Sequence, residues 1–167
     1  MFDLQAYMAN SIRGIVAKTY LNVLTNPRQA KVVHQLQQSL AATERRRKEV
    51  QAKEGLDVPP FLISSIATTC NLHCKGCYAR QNGIATDKKV PMLAPEQWSA
   101  IFEESSALGI NFSIIAGGEP LTRRDVLEQI ATVEEMIFPI FTNGTLINDS
   151  YLDFFRHHTN MIPVMSL

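Results

Sequence analysis

The residues best suited to chemistry are Cys70, Cys74 and Cys77, which are the only cysteines of the chain and lie within eight residues. An odd, tightly clustered set argues against a disulfide framework. Three thiolates on one short loop can instead converge on one metal or redox centre. This cysteine loop, residues 70–78, includes Gly76, which helps its backbone to curl.

The number of cysteines leaves several kinds of centre open. A structural zinc site needs four ligands, and the nearby His73 lies between two cysteines, where convergence with them is difficult. An iron–sulfur cluster that only transfers electrons normally takes four cysteines. Three cysteines would leave one iron of a cluster open, and an open iron is what chemistry on a bound small molecule requires.

Two polar segments further along the chain suit the same kind of site. Gly117 and Gly118 let a backbone approach a ligand closely, and Glu119 adds a carboxylate that suits a cationic amine. Thr142 and Asn143 precede a glycine and supply further polar groups, although an ordinary Asn-Gly turn gives the same pattern.

The elements that must position these residues begin at a change of pattern near residue 61. Phe61–Ile66 is a short apolar run typical of a buried strand, and the cysteine loop follows at once. Further strands are expected at Ile110–Ala116, at Met136–Phe141 and from Met161 to Leu167. Helices are expected at Pro95–Gly109, after the capping signal Thr122–Asp125 and after Asn148. The helix after Thr122–Asp125 would carry Val126, Ile130 and Val133 on its apolar side. This alternation predicts an α/β fold of parallel βα units, although Pro139 and Pro163 fit strands poorly.

The first 60 residues show a different, helical pattern. Apolar residues recur at helical spacing over 3–24 and again over about 27–53. The second stretch ends in the charged run 44–49, which is expected to be a solvated helix face, with a patch for an acidic partner or a membrane surface as the alternative. We therefore divide the chain into a helical N-terminal segment, 1–60, and an α/β domain, 61–167.

Composition limits the class of protein. Hydrophobic residues make up 46% of the 167 residues and charged residues 19%, which suits a packed core and excludes general disorder. The net charge is zero, but 1–60 carry nine basic and five acidic residues whereas 61–167 carry seven and eleven, so the two parts have different tasks or attract each other. No signal peptide and no membrane-spanning run is seen, so a cytoplasmic location is expected. A nucleic-acid partner is not expected.

Together, the CxxxCxxC spacing after the first strand and the Gly-Gly-Glu segment resemble the radical SAM superfamily. The resemblance implies that 61–167 form part of a partial TIM-like barrel whose three cysteines hold a [4Fe–4S] cluster. It implies that S-adenosylmethionine (SAM) chelates the open iron through its amino and carboxylate groups. It further implies an enzyme that receives an electron from a donor such as flavodoxin or ferredoxin, cleaves the C5′–S bond of SAM, and uses the 5′-deoxyadenosyl radical to abstract hydrogen from a substrate.

The resemblance also assigns cofactor contacts. Gly117, Gly118 and Glu119 match the family's GGE motif, which binds the methionine amino group of SAM. Thr142 and Asn143 match a third-strand segment whose polar groups face the SAM pocket.

Two further contacts are expected around the loop and the last strand. The family usually has an aromatic residue next to the adenine, just before the third cysteine; here this residue is Gly76, which leaves a backbone contact, and Tyr78 is the candidate substitute. Ser166 lies on the fourth strand, where a polar contact to SAM is common. No residue is assigned to acid–base catalysis.

The family domain usually has six βα units, and this chain supplies about three and a half. We therefore expect a truncated fragment, with a natural half-barrel that pairs with another chain as the alternative. Two other functions stay open, namely a non-catalytic zinc module whose N-terminal helices bind a partner, and an iron–sulfur electron carrier that does not bind SAM.

Overall fold

A computed structural model of the chain describes residues 42–86 and 90–165. Its helices are α1 (residues 42–54), α2 (Tyr78–Gln81), α3 (Pro95–Ala107), α4 (Arg124–Ile130) and α5 (Asp149–His157), and its strands are β1 (Leu62–Ala67), β2 (Ser113–Gly117), β3 (Phe138–Thr142) and β4 (Met161–Met165). The predicted helix at 3–24, the part of the second predicted helix before residue 42, and Ser166 lie outside the described residues. None of the described helices is long and apolar enough to cross a membrane.

The four strands form one parallel sheet in the order β1-β2-β3-β4, which confirms the predicted βα alternation. Apolar side chains from the sheet and the helices form a single core, which includes Ile66, Phe102, Ile115, Leu127, Phe138 and Phe154. Phe102 and Phe138 meet edge to face, with their ring centroids 4.9 Å apart. Parallel strands all end at one edge of the sheet, so the segments that follow β1, β2 and β3 lie together there.

The second predicted strand begins later than expected because the end of α3 uses its first residue. The amide of Ile110 donates a hydrogen bond to the carbonyl of Ser105 (2.9 Å), and Gly109 has φ +93°. Gly109 is therefore the stop expected from the sequence, but the closing turn continues through Ile110. The ladder of β2 starts only at Ser113.

The prediction of a side-chain cap at the start of α4 is wrong. Thr122 ends a short 3₁₀ turn, Pro120–Thr122, and its hydroxyl donates to the carbonyl of Glu119 (2.7 Å). Arg123 holds the capping position without a side-chain cap, and Val133 is buried beyond the end of α4. Before α5 the expectation is confirmed, because the Asn148 side chain accepts a hydrogen bond from the amide of Tyr151 (3.0 Å).

Both prolines lie inside strands, at points where an amide is not required. Just before β3, the amide of Ile137 donates to the carbonyl of Asn111 on the β2 side, and the amide of Phe138 donates to that of Asn160 on the β4 side. Because successive residues of a strand alternate in direction, the nitrogen of Pro139 faces β2. There the ladder is reduced to the pair Ile115–Ile140 and an isolated bridge. In β4, the carbonyl of Asn160 faces β3, so the nitrogen of Pro163 faces the side of the strand away from β3.

The charged run of α1 is only partly a solvated face. Arg45 and Lys48 pair with acidic residues one turn away on the helix surface. Arg46 and Arg47 instead donate to the carbonyls of Ser106 and Gly109, each at 2.8 Å. These carbonyls lie at the C-terminal end of α3, where a helix lacks partners of its own and favours cations. The two arginines therefore fix α1 to the α/β domain.

Gly109 provides a test of this contact. A Cβ at Gly109 would lie 2.7 Å from the carbonyl oxygen of Thr43 and 2.9 Å from the amide nitrogen of Arg47. We expect Gly109→Ala to lower the free energy of unfolding by about 1 kcal/mol through its backbone conformation and by about 1–3 kcal/mol more through overpacking. Urea denaturation measures the change.

Gly83→Ala is the matched control, because Gly83 also has positive φ (+71°) but no atom within 4 Å of its Cβ position. It carries the conformational cost without the clash. Equal losses in the two variants would show that the contact between α1 and the Gly109 turn contributes nothing.

Candidate functional site

The three segments singled out in the sequence meet at the carboxyl edge of the sheet. The cysteine loop follows β1, Gly118 and Glu119 follow β2, and Asn143 follows β3. The amide of Gly118 donates to the carbonyl of Ala67 (2.7 Å), and the amide of Glu119 donates to that of Thr69 (2.8 Å). The segment after β2 is thus bonded directly to the residues that lead into Cys70.

Packing against the cysteine loop explains the two glycines. Gly117 has φ +138°, and a Cβ there would overlap the backbone of Ala67. A Cβ on Gly118 would overlap the carbonyl of Thr69 and lie 3.2 Å from the amide nitrogen of Cys70. The sequence suggested that these glycines make room for a ligand, whereas their nearest neighbour in the structure is the backbone at the base of the cysteine loop.

Glu119 connects the ends of two strands from the interior. Its side chain is buried, with only 1% of the residue exposed. Oε1 accepts hydrogen bonds from the amide of Leu121 (3.0 Å) and the hydroxyl of Thr142 (2.7 Å), and Oε2 accepts one from the amide of Asn143 (2.9 Å). A buried carboxyl group is costly unless its oxygens find such donors, and here both oxygens do.

The polar residues after β3 are directed towards one another and towards the cysteine loop. Thr142 is buried, and its hydroxyl also accepts from the amide of Gly144 (3.0 Å). The side chains of Asn71, Asn143 and Thr145 form a closed ring of hydrogen bonds of 2.6–3.0 Å. Asn71 follows Cys70 directly, so this ring ties the cysteine loop to the segment after β3. Sequence reasoning missed Asn71, because nothing next to it indicates its partners 72 and 74 residues away.

Tyr151 supports the turn after Glu119 from helix α5. Its hydroxyl donates to the carbonyl of Leu121. Burial raises the pKa of Tyr151, and the nearby Glu119 acts in the same direction, although Arg124 opposes both. The phenol therefore stays protonated at neutral pH and keeps its role as a donor.

The three cysteines are free thiols on a loop that is bonded at its base. Cys70 and Cys77 are partly buried, Cys74 is exposed, and the amide of Cys77 donates to the carbonyl of Cys74 (3.3 Å). Across residues 42–86 and 90–165, no three His, Cys, Asp or Glu side chains gather as metal ligands, so the thiols do not converge here. The donor set still fits an iron–sulfur cluster, since three accessible thiols with no disulfide partner lie on one loop.

The two candidate adenine contacts lie at the far end of this loop. Gly76 has φ +79° with open space at its Cβ position, and Tyr78 begins α2 with 57% of its surface exposed. An exposed aromatic ring is available for stacking. Ser166 is outside the described residues, so the structure does not bear on its expected contact.

The domain is thus a parallel α/β sheet with a three-cysteine loop after its first strand and a Gly-Gly-Glu segment packed at the base of that loop. The chain belongs to the radical SAM superfamily, whose family model matches residues 64–166. The family resemblance noted in the sequence is therefore confirmed.

Several curated proteins are similar to part of the chain. Fe-coproporphyrin III synthase of Methanosarcina barkeri is 33% identical over 94 residues, covering 55% of this chain and 23% of that protein. PqqA peptide cyclase of Granulibacter bethesdensis is 29% identical over 59% of this chain and 26% of its own length. A probable GTP 3′,8-cyclase of Methanocaldococcus jannaschii is 34% identical over 58% and 32%. The aligned region thus spans about a quarter to a third of each relative.

Solved structures support the fold. SuiB of Streptococcus suis, in a crystal structure with the precursor peptide SuiA, superposes with a TM-score of 0.59 at 24% identity, covering 74% of this chain and 28% of SuiB. A second structure of SuiB, bound to S-adenosylmethionine, superposes equally well at 23% identity. The likeness confirms the fold, a partial sheet of parallel strands alternating with helices.

The role of Glu119 in joining β2 and β3 can be tested by Glu119→Gln. The amide group of glutamine would place an N–H donor against one of the three donors that Glu119 now accepts from. We expect the free energy of unfolding to fall by about 1–3 kcal/mol, the cost of an unsatisfied buried polar group. Chemical denaturation followed by circular dichroism measures this change.

Glu128→Gln removes the same charge from an exposed residue that pairs with Arg124 at 2.7 Å, with 58% of the Glu128 side chain exposed. A surface pair of this kind contributes about 0–1 kcal/mol. If both variants lost equally little stability, the three hydrogen bonds of Glu119 would not hold the strand ends together.

Proposed function

We propose that the chain forms part of a radical SAM enzyme, in which Cys70, Cys74 and Cys77 hold a [4Fe–4S] cluster and the adjoining edge of the sheet binds SAM. The observation that carries the proposal is the hydrogen bonding of Gly118 and Glu119 to Ala67 and Thr69, the residues that lead into Cys70. A ligand that joins the open iron to the Gly-Gly-Glu segment needs both within one small molecule's length. Membership of the superfamily supports the same assignment.

Each proposed contact follows from the chemistry of its residue. The carbonyls of Gly117 and Gly118 accept hydrogen bonds from the amino group of SAM, and Glu119 keeps acceptor capacity for the same group on Oε2. Asn143 keeps the segment after β3 against the cysteine loop. Thr142 orients the Glu119 carboxylate by donating a hydrogen bond from its hydroxyl to Oε1.

The remaining contacts hold the other end of SAM. The exposed ring of Tyr78 stacks on the adenine, and the backbone of Gly76 offers it a polar contact. Ser166, the residue after β4 in the sequence, adds a polar contact. In this proposal residues 61–167 are the part of the core domain that carries the cluster, and 1–60 are a helical segment attached to it.

A [4Fe–4S] cluster held by Cys70, Cys74 and Cys77 would supply one electron, received from a flavodoxin or ferredoxin, for cleavage of the C5′–S bond of SAM, and the 5′-deoxyadenosyl radical so formed would abstract hydrogen from the substrate. The protein's residues hold and orient SAM and keep water away from the reacting carbon. Such chemistry suits the reducing environment of the cytoplasm, where thiols stay free.

The similar proteins do not point to one substrate. By their names they include a peptide cyclase, a GTP cyclase and a coproporphyrin synthase. The region they share with this chain therefore supports the common SAM chemistry, and substrate selection belongs to residues that differ among them.

Anaerobic reconstitution with iron and sulfide tests the proposal. We expect about four irons per chain and a reduced EPR spectrum that changes on addition of SAM. Cys74→Ala should abolish cluster binding, because the chain has no spare cysteine. His73→Ala is the control and should keep the cluster.

The alternatives give different results in the same experiment. One zinc per colourless chain, lost in His73→Ala, would establish a zinc module instead. A cluster whose spectrum ignores SAM would establish an electron carrier.

A further inference from the structure

Arg123 is a partly buried arginine that follows the Gly-Gly-Glu segment by four residues. Only 11% of its side chain is exposed. All five N–H groups of its guanidinium have acceptors, which come from three separate parts of the chain. The sequence suggested a helix cap at this residue, but a cap would not need burial or so many partners.

The first acceptor lies on the strand that leads into the cysteine loop. Nη1 of Arg123 donates to the carbonyl of Ile66 (3.3 Å). The register of β1 against β2 shifts between Ser65 and Ala67, so Ile66 lies in a bulge outside the regular ladder. A bulge leaves the extra residue without a ladder partner, and Arg123 supplies that partner four residues before Cys70.

The next acceptors, Met92 and Leu93, lie further along the chain, just before α3 begins at Pro95. Nη1 also donates to the sulfur of Met92 (3.5 Å), and Nη2 donates to the carbonyl of Leu93 (3.2 Å). The Met92 sulfur accepts a second hydrogen bond from the hydroxyl of Thr68 (3.4 Å), which lies between Ile66 and Cys70. The chain before the loop and the chain after it are therefore joined at one guanidinium.

Asp125 fixes the guanidinium in its plane. It accepts from Nε and Nη2 of Arg123, each at 3.0 Å, in the two-point geometry that arginine forms with carboxylates. Hydrogen bonding from Arg123 lowers the pKa of Asp125 below its ordinary value, so the carboxylate stays ionised at neutral pH. A lysine could not replace this arrangement, because its ammonium lacks the planar set of donors.

We infer that Arg123 is a positioning residue for the cysteine loop: it joins the strand end that leads into the loop to the segment at Met92 and Leu93, so that the thiols are held where they can meet one cluster. The inference concerns the loop and rests on the proposed function only where it refers to the cluster.

Arg123→Lys tests the inference, with Arg124→Lys as the matched control. Arg124 is the neighbouring arginine, but it pairs with Glu128 and lies over the rings of Tyr151 and Phe154. The first measurement is amide hydrogen exchange in the cluster-free chain. We expect Arg123→Lys to speed exchange at 66–77 and 90–94 by roughly tenfold, as for the loss of hydrogen bonds to a charged group, and to leave β3 and β4 unchanged.

The second measurement is the iron content and midpoint potential after reconstitution. Arg123→Lys should bind less iron or show a shifted potential, and Arg124→Lys should match the unsubstituted chain. Unchanged local exchange in a folded Arg123→Lys chain would overturn the inference, and so would an increase spread evenly over the whole domain. If Arg123→Lys does not fold, Asp125→Asn replaces it and should speed exchange in the same two segments to a smaller extent.

The two proposals can fail separately. If the unsubstituted chain takes up no cluster while the local exchange difference is found, the loop-holding role stands and the proposed function fails. If the cluster forms in the unsubstituted chain but Arg123→Lys leaves the exchange unchanged, the proposed function stands and the loop-holding role fails.

Discussion

The buried carboxyl group of Glu119 is the constraint on which the edge of the sheet depends. Burying such a group is unfavourable unless donors surround it, and the donors here come from the turn after β2 and from the end of β3. The strand ends must therefore keep one relative placement. Because Glu119 also binds the carbonyl of Thr69 through its amide, this placement extends to the residues before Cys70.

Close packing transmits the same constraint to the cysteine loop. Gly118 leaves no room for a side chain against Thr69 and Cys70, so the loop rests on backbone and not on flexible groups. Asn71 adds a contact to the segment after β3. The loop that carries the thiols is thus held from beneath by two strands and their connections, and this suits a site that must present several ligands at defined separations.

The fold could be predicted from the sequence because its signals are local. Short apolar runs mark the strands, and Pro95, Gly109 and Asn148 mark helix ends. The Gly-Gly-Glu and cysteine motifs are also short. The connections between them could not be predicted, since Glu119 meets Thr142 across 23 residues and Arg123 meets Ile66 across 57. Such pairs depend on strand register and on a bulge, and neither has a mark in the local sequence.

Pro163 has a consequence for the backbone hydrogen bonds on the side of β4 away from β3. Proline has no backbone N–H, so this side of the strand offers one donor fewer to any segment that pairs with it. A strand placed there must therefore pair with β4 around that missing donor, which limits the registers it can adopt.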